Sequence, residues 1–284
     1  MAYQCLVLAE PPADQDCDRC TPWIAEAVAV AQRFNWAFQC ATDSLVMEAS
    51  WNADVLLHRD AHGWSASLKK EPTWTPVRFA FEHPRFVARV QRANSRRECL
   101  LKALGRSRPT TILDCTGGTG EESVLLARCG ARVTTVERDP VVYTLLTDAL
   151  NRARLHRVLA PIVERITVCN AEAQRVFQPS YALDDNAVRS SIKRPYEDHQ
   201  FDVIYCDPMF PPSDKSARVS KTMQFFHHLL GPPTDVDALV LAALRVAQRR
   251  VIVKRPAEAP PVSAAPEPTY SIGNDAIRFD IYCA

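Results

Sequence analysis

Residues 110–137 read TTILDCTGGTGEESVLLARCGARVTTVE, and this stretch decides the fold. TTILD (110–114) is a short apolar, β-branched run, which predicts a strand ending in an acid, Asp114. A loop of Thr116, Gly117, Gly118, Thr119 and Gly120 follows, and Glu121 and Glu122 open a helix expected over 121–129. ARVTTVE (131–137) is a second strand that ends in another acid, Glu137. Strand, glycine turn, helix and strand form the first half of a parallel α/β unit. Glycines at such a turn let a ligand approach the backbone at a helix N-terminus. An acid closing the next strand is placed to accept both hydroxyls of a ribose. The loop alone would also fit a structural glycine turn. Loop, strand and acid together favour a nucleotide-type site.

The alternation continues outward. The pattern predicts helices over 84–104, 140–155, 217–230 and 235–247, with strands over 165–169, 201–207, 249–255 and 276–284. Strands alternating with helices imply a parallel sheet covered on both faces. Before residue 80 stand four β-like runs, CLVLA (5–9), WAFQC (36–40), LVMEA (45–49) and DVLLH (54–58). One helix is expected there over 21–34, with Thr21 as N-cap and Pro22 at its first position. These features predict a small α/β domain over 1–80 and a larger α/β domain over 81–284. The polar, aperiodic stretch 179–200 reads as an insertion loop, and the proline-rich stretch 257–268 as an extended linker.

Composition sets bounds. With 284 residues, 47% hydrophobic and 24% charged, the chain can bury a large core, so disorder throughout is excluded. No apolar run approaches the ~20 residues of a membrane span. No basic segment precedes the first apolar run, so the N-terminus is not read as a signal peptide. A cytoplasmic protein with free thiols is expected, and Cys115, Cys169 and Cys206 lie in strand runs where cysteine behaves as a small hydrophobe. The net charge is only +1, so binding nucleic acid would require local basic patches.

Such patches exist. Residues 84–108 hold eight basic residues and a single acid, Glu98. Within the expected helix, Arg85, Arg89, Arg92 and Arg96 share one face. Lys215, Arg218 and Lys221 form a second group, and Lys254 with Arg255 a third. These cations would hold RNA phosphates without reading sequence. Cys17 and Cys20, with His58 and His62, have a spacing too long for a zinc finger, so no metal is expected.

The strand over 201–207 exits into Asp207-Pro208-Met209-Phe210-Pro211-Pro212. That carboxyl edge is where open α/β sheets bind ligands. The tetrad is similar to the [D/N]-P-P-[F/Y] motif of methyltransferases that act on exocyclic amines of bases. An exocyclic amine is a poor nucleophile because its lone pair is delocalised into the ring. The Asp207 carboxylate and the Pro208 carbonyl can accept its two N–H bonds and localise that lone pair. Phe210 can stack on the base. The loop after Asp114 likewise resembles the D-x-G-x-G-x-G loop of S-adenosylmethionine-dependent methyltransferases, with Thr116 in the first glycine place.

From Phe79 to Tyr282 the chain resembles the RsmJ-type family, bacterial methyltransferases that modify N2 of one guanine in small-subunit ribosomal RNA. DPMFPPSDKSARVSKTMQFFHHLLG (207–231), VIVKRPAEAPP (251–261) and RFDIY (278–282) carry the likeness. The resemblance implies a class I, Rossmann-like, S-adenosylmethionine-dependent methyltransferase fold behind a small N-terminal α/β domain. It implies cofactor contacts on Asp114 and the glycine loop, on Glu121, Glu122, Glu137, Arg138, Glu172 and Ala173, and on Asp207. Catalysis would fall to Asp207, Pro208 and Phe210, and the partner would be small-subunit ribosomal RNA or the assembled small subunit. Two alternatives stand beside this reading: an amino-group methyltransferase on another RNA or on DNA, and a non-catalytic ribosome-assembly factor that keeps the fold. An NAD-dependent oxidoreductase is disfavoured, because GxGxxG is absent.

Overall fold

The computed structural model describes residues 3–9, 21–40, 53–68, 76–178, 201–209, 220–231 and 235–284. The chain divides into two compact units. The smaller comprises residues 1–80, 147–152 and 212–231, and the larger 81–146, 153–211 and 232–284. The first boundary falls after residue 80, and two later segments belong to the smaller unit.

In the smaller unit, β1 (Cys5–Ala9) pairs in parallel with β2 (Ala37–Cys40) and β3 (Val55–Asp60). Helix α1 (Thr21–Phe34) makes the crossover from β1 to β2. β4 (Gly63–Leu68), which the run-by-run reading missed, returns antiparallel on β3 and completes the order β2-β1-β3-β4. The run LVMEA and the expected insertion at 179–200 lie outside the described residues. Trp64 is buried, and its indole N–H donates to Glu26, which also takes Arg59. Helix α8 (Lys221–Leu230) buries Phe225 and Phe226, the latter against Phe79.

The larger unit opens with α2 (Pro84–Arg92) and α3 (Cys99–Ala103). The single helix expected over 84–104 is therefore two. Ala93 leaves the helical region, and the Asn94 side chain takes over local bonding. Its amide donates to the Arg92 carbonyl, and its oxygen accepts from the Arg96 amide. Short polar side chains compete with the helix backbone in this way. Arg96 consequently lies beyond α2 and does not share its face with Arg85, Arg89 and Arg92, which corrects the expected four-arginine face.

The main sheet contains β5 (Thr111–Asp114), β6 (Arg132–Glu137), β7 (Ile166–Asn170), β8 (Phe201–Cys206), β9 (Ala247–Pro256), β10 (Tyr270–Gly273) and β11 (Ile277–Cys283). Its order is β10-β11-β9-β8-β5-β6-β7. β5 to β9 run parallel, while β11 is antiparallel to both neighbours. Helices α4 (Glu121–Arg128), α5 (Pro140–Ala153), α6 (Ala160–Val163), α7 (Ala173–Val176) and α9 (Val236–Val246) complete the succession. Strands step outward from β5 to β6 and β7 on one side and return through β8 and β9 on the other. The topological switch therefore lies between β5 and β8, where an open α/β sheet forms its ligand crevice.

Alternation places the side chains. Leu113, Cys115, Val136, Ile204, Cys206, Val251 and Val253 join the core beneath α7 and α9. By the two-residue period, Asp114, Thr135, Glu137, Tyr205 and Lys254 point to the opposite face. Cys115, Cys169 and Cys206 are buried in the sheet. The stretch 257–268 has no strand or helix, yet Val262 is buried in the same core and Ala265 packs on it. It is thus a tethered connection. β10, too short and polar to read as a strand, pairs with the last strand.

Candidate active site

The carboxyl ends of β5, β6 and β8 bring the acids together. Asp114 is 1% exposed. Its Oδ1 accepts from the Thr116 amide at 3.0 Å, and its Oδ2 accepts from the Ser123 hydroxyl of α4. Ser123 in turn contacts the Thr135 hydroxyl at 2.8 Å. Burial pushes the Asp114 pKa up to about 7, against the pull of the Ser123 and Thr116 bonds. So deeply held, Asp114 anchors the loop at Thr116 and the start of α4 at Ser123.

The loop is set by two left-handed glycines. Gly120 has φ 78°, and a Cβ there would lie 2.3 Å from Leu146 Cδ1. It permits close packing of the helix start. Gly118 has φ 50°, and a Cβ there would make one ordinary contact, with the Thr116 carbonyl oxygen at 3.8 Å, so its side is not crowded. Thr116, in the unusual first position, is a fastener: its hydroxyl accepts the Asp207 amide at 2.8 Å, joining the loop to the end of β8.

Glu137 is 6% exposed. One carboxylate oxygen accepts the Gly118 amide and the other the Asp139 amide, both at 2.8 Å. Burial raises its pKa to about 7, opposed by those two bonds. Each oxygen keeps acceptor capacity beyond its one bond, as binding a ribose diol requires. Next along the edge, Arg138 reaches Asp235 at 3.1 Å and Glu172 at 3.9 Å. Ala173, buried, begins α7 beside Glu172.

Asp207 meets a partner that strand-by-strand reading did not anticipate. Its Oδ2 accepts from Lys254 Nζ at 2.7 Å, and the same ammonium reaches Glu122 Oε1 at 3.0 Å. The three side chains are 28%, 22% and 27% exposed, respectively. Burial and Glu122 push the Asp207 pKa up, to about 6, while Lys254 pulls it down. The two carboxylates hold the Lys254 pKa above its ordinary value despite burial. Glu121 is pushed up by burial and by Glu122, and Arg89 opposes this from 3.3 Å. Pro208 is buried next to Asp207. Phe210, Lys215 and Arg218 lie outside the described residues.

The expected phosphate contacts separate into classes. Arg85, Arg92 and Arg96 are exposed. Arg89 is committed in part to Glu98, at 2.9 Å, as well as to Glu121. Arg255 is only 7% exposed and donates to the Pro260 carbonyl, which removes it from an RNA-facing surface. Lys254 belongs to the acid cluster, which corrects its expected place in a basic track. Lys221 opens α8 and is exposed. Among the described residues no group of three His, Cys, Asp or Glu side chains could hold a metal.

Sequence reasoning gave Lys254 a phosphate in place of its carboxylate partners, and it missed Ser123, Thr135 and Tyr205. The signal was present in the two-residue period: counting from Val251 and Val253 places Lys254 on the sheet face of Asp114 and Tyr205.

A glycine loop at a switch point, a buried carboxylate at the next strand end and a cluster of carboxylates suited to a cationic sulfonium fit S-adenosylmethionine. Residues 41–284 match the family model for SAM-dependent methyltransferases, so the protein is an S-adenosylmethionine-dependent methyltransferase. The crystal structure of a SAM-dependent methyltransferase from Neisseria gonorrhoeae shares the fold, with a TM-score of 0.65 and 23% identity. The match covers 98% of this chain and 95% of that one. Among curated proteins, the ribosomal RNA small subunit methyltransferase J of Hydrogenovibrio crunogenus is 35% identical over 267 residues, covering 90% of each chain. That of Thioalkalivibrio sulfidiphilus is 37% identical over 230 residues, covering 80% of this chain and 84% of the relative. The chain belongs to the ribosomal RNA small subunit methyltransferase J family.

Proposed function

We propose that this enzyme methylates the exocyclic N2 amine of a guanine in small-subunit ribosomal RNA, in the cytoplasm. The observation that carries the reading is Asp207: a partly exposed carboxylate at the end of β8, tied through its own amide to the glycine loop. The relatives' name supplies the RNA class, and the amine-directed motif supplies the reacting group.

S-adenosylmethionine supplies an electrophilic methyl group on a sulfonium centre. Glu137 accepts the ribose hydroxyls, and the Gly118 region gives the cofactor room against the backbone. The Asp207 carboxylate and the Pro208 carbonyl accept the two amine N–H bonds and aim the nitrogen lone pair. The neutral amine needs no prior deprotonation. Once methylated it is cationic and strongly acidic, and Asp207, already the acceptor of its N–H bond, takes its proton. Phe210 stacks on the base. Arg85, Arg92, Arg96, Lys215, Arg218 and Lys221 hold phosphates, with Arg89 contributing less because of its two carboxylate partners.

Asp207→Asn keeps the shape but removes the charge. Single-turnover transfer to small ribosomal subunits or their RNA at saturating cofactor is expected to fall ~10²-fold or more, with cofactor affinity measured separately. A wild-type rate in this variant would refute the role of Asp207. If the wild-type protein binds the cofactor and methylates no RNA, the assembly-factor reading replaces this one. Mass mapping of methylguanosine in ribosomal RNA from a deletion strain identifies the target.

A further inference from the structure

We propose that Lys254 is a positioning residue for methyl transfer, fixing the Asp207 carboxylate between the end of β8 and Glu122 of α4. The inference rests on the catalytic role proposed above for Asp207.

The placement follows from strand pairing. Cys206 pairs with Val253 across β8 and β9, so Asp207, one residue past the end of β8, lies beside Lys254, which β9 still holds in the sheet opposite Phe279. The ammonium then lies 2.7 Å from Asp207 and 3.0 Å from Glu122, and all three side chains are largely withdrawn from water. A lysine that served phosphates would reach outward. This one directs two of its three N–H donors to carboxylates within the site.

Two consequences follow. Holding Oδ2 restricts the Asp207 side chain to one orientation, and its remaining lone pairs are aimed for the substrate amine. The second consequence concerns charge. Asp207 is faced by Glu122 from α4, by Asp114 from β5, by Tyr205 from its own strand and by Lys254 from β9, and Glu121 acts on the cluster through Glu122 and Lys254. Arg89, which pairs with Glu121, offsets part of the charge on α4. Without Lys254 the acids would be like charges crowded at one strand edge, and such crowding drives one carboxylate to take up a proton. A protonated Asp207 would present a donor where the amine needs an acceptor. With Lys254 in place, Asp207, Lys254 and Glu122 sum to one negative charge, which suits a cationic sulfonium and a nitrogen that becomes cationic.

The test is the pH dependence of single-turnover methyl transfer by the full-length protein to small ribosomal subunits. Wild type, Lys254→Met, Lys254→Arg and Asp207→Asn are compared, with S-adenosylmethionine affinity measured by calorimetry. Lys254→Met is expected to slow transfer about tenfold at neutral pH and to move the acid limb upward by roughly one pH unit, so that the loss shrinks as pH rises. Lys254→Arg, which keeps the charge, is expected to return the limb toward its wild-type position. A loss in Lys254→Met of equal size at every pH, a limb that does not move, or a folded Lys254→Arg that behaves like the methionine variant overturns the proposal. Asp207→Asn separates the two levels. If it is impaired while the Lys254→Met limb stays put, only the positioning role fails. If Asp207→Asn transfers at the wild-type rate, the catalytic reading fails as well.

Discussion

Glu137 shows how one buried carboxylate ties stability to pH. It is buried, bonded to two backbone amides and raised to a pKa of about 7, against an ordinary value of 4.5. The sign follows directly. The folded state holds this proton over a pH range in which the unfolded chain has released it, so the contribution is fully present below about pH 4.5 and is lost as pH rises through about 7. In the ligand-free protein, Glu137 is expected to contribute on the order of 1–3 kcal/mol that fades across this window. Denaturant unfolding of wild type and Glu137→Gln at pH 5 and pH 8 measures it. The stability advantage of wild type over the variant should shrink toward pH 8, and an advantage that grows would reverse the assignment. Calorimetry on Glu137→Ala adds the functional side, with cofactor binding weakened by about 1–3 kcal/mol as charge-assisted hydrogen bonds disappear. In the proposed function, cofactor binding draws on a carboxylate that costs the empty protein stability at neutral pH.

At the scale of elements, α8 rests on a single side-chain cap. Ser220 precedes the helix, and its hydroxyl accepts the Met223 amide at 3.2 Å. Ser220→Ala should destabilise the protein by about 0.5–2 kcal/mol, whereas Ser220→Asp should keep the cap and favour the positive helix end. Urea midpoints of the two variants distinguish these outcomes, and equal losses in both would remove the cap from the account. Elements with strong periodicity were legible from the sequence. α1 begins at Thr21 as expected, and β5 through β9 lie within a residue or two of the expected runs. Elements without a strong apolar period were not. β10, YSIG, shows no buried face, and β4, GWSASL, hides its strand character behind small residues. The break between α2 and α3 was written in Asn94-Ser95, a turn signal outweighed by the apolar residues on either side. Site residues divide in the same way. Asp114, Glu137 and Asp207 declare themselves by ending strands, but Lys254 declares itself only when the two-residue period is carried across neighbouring strands.

For the whole molecule, the relevant fact is a net charge of +1 with cations gathered locally. Such a chain attracts RNA through its patches rather than through a global field, so its affinity should report which cations are free to meet phosphate. The structure ranks them. Arg85 and Arg92 are exposed at either end of α2, while Arg89 between them is held by Glu98 and Glu121. A cation already neutralised by carboxylates displaces few counterions when RNA binds. Replacing Arg85 and Arg92 together by Gln is therefore expected to flatten the logarithmic salt dependence of RNA binding by roughly 0.7 for each phosphate that is no longer neutralised. Arg89→Gln should change the slope by less, and should act chiefly on the neighbouring acids. Filter binding of small-subunit ribosomal RNA across a salt series, with cofactor affinity measured in parallel, separates the two effects. A slope unchanged in the double variant would assign this face to ordinary solvated charge. A change in Arg89→Gln as large as in the double variant would mean that RNA displaces Glu98 and Glu121 from the arginine, making those acids competitors of phosphate.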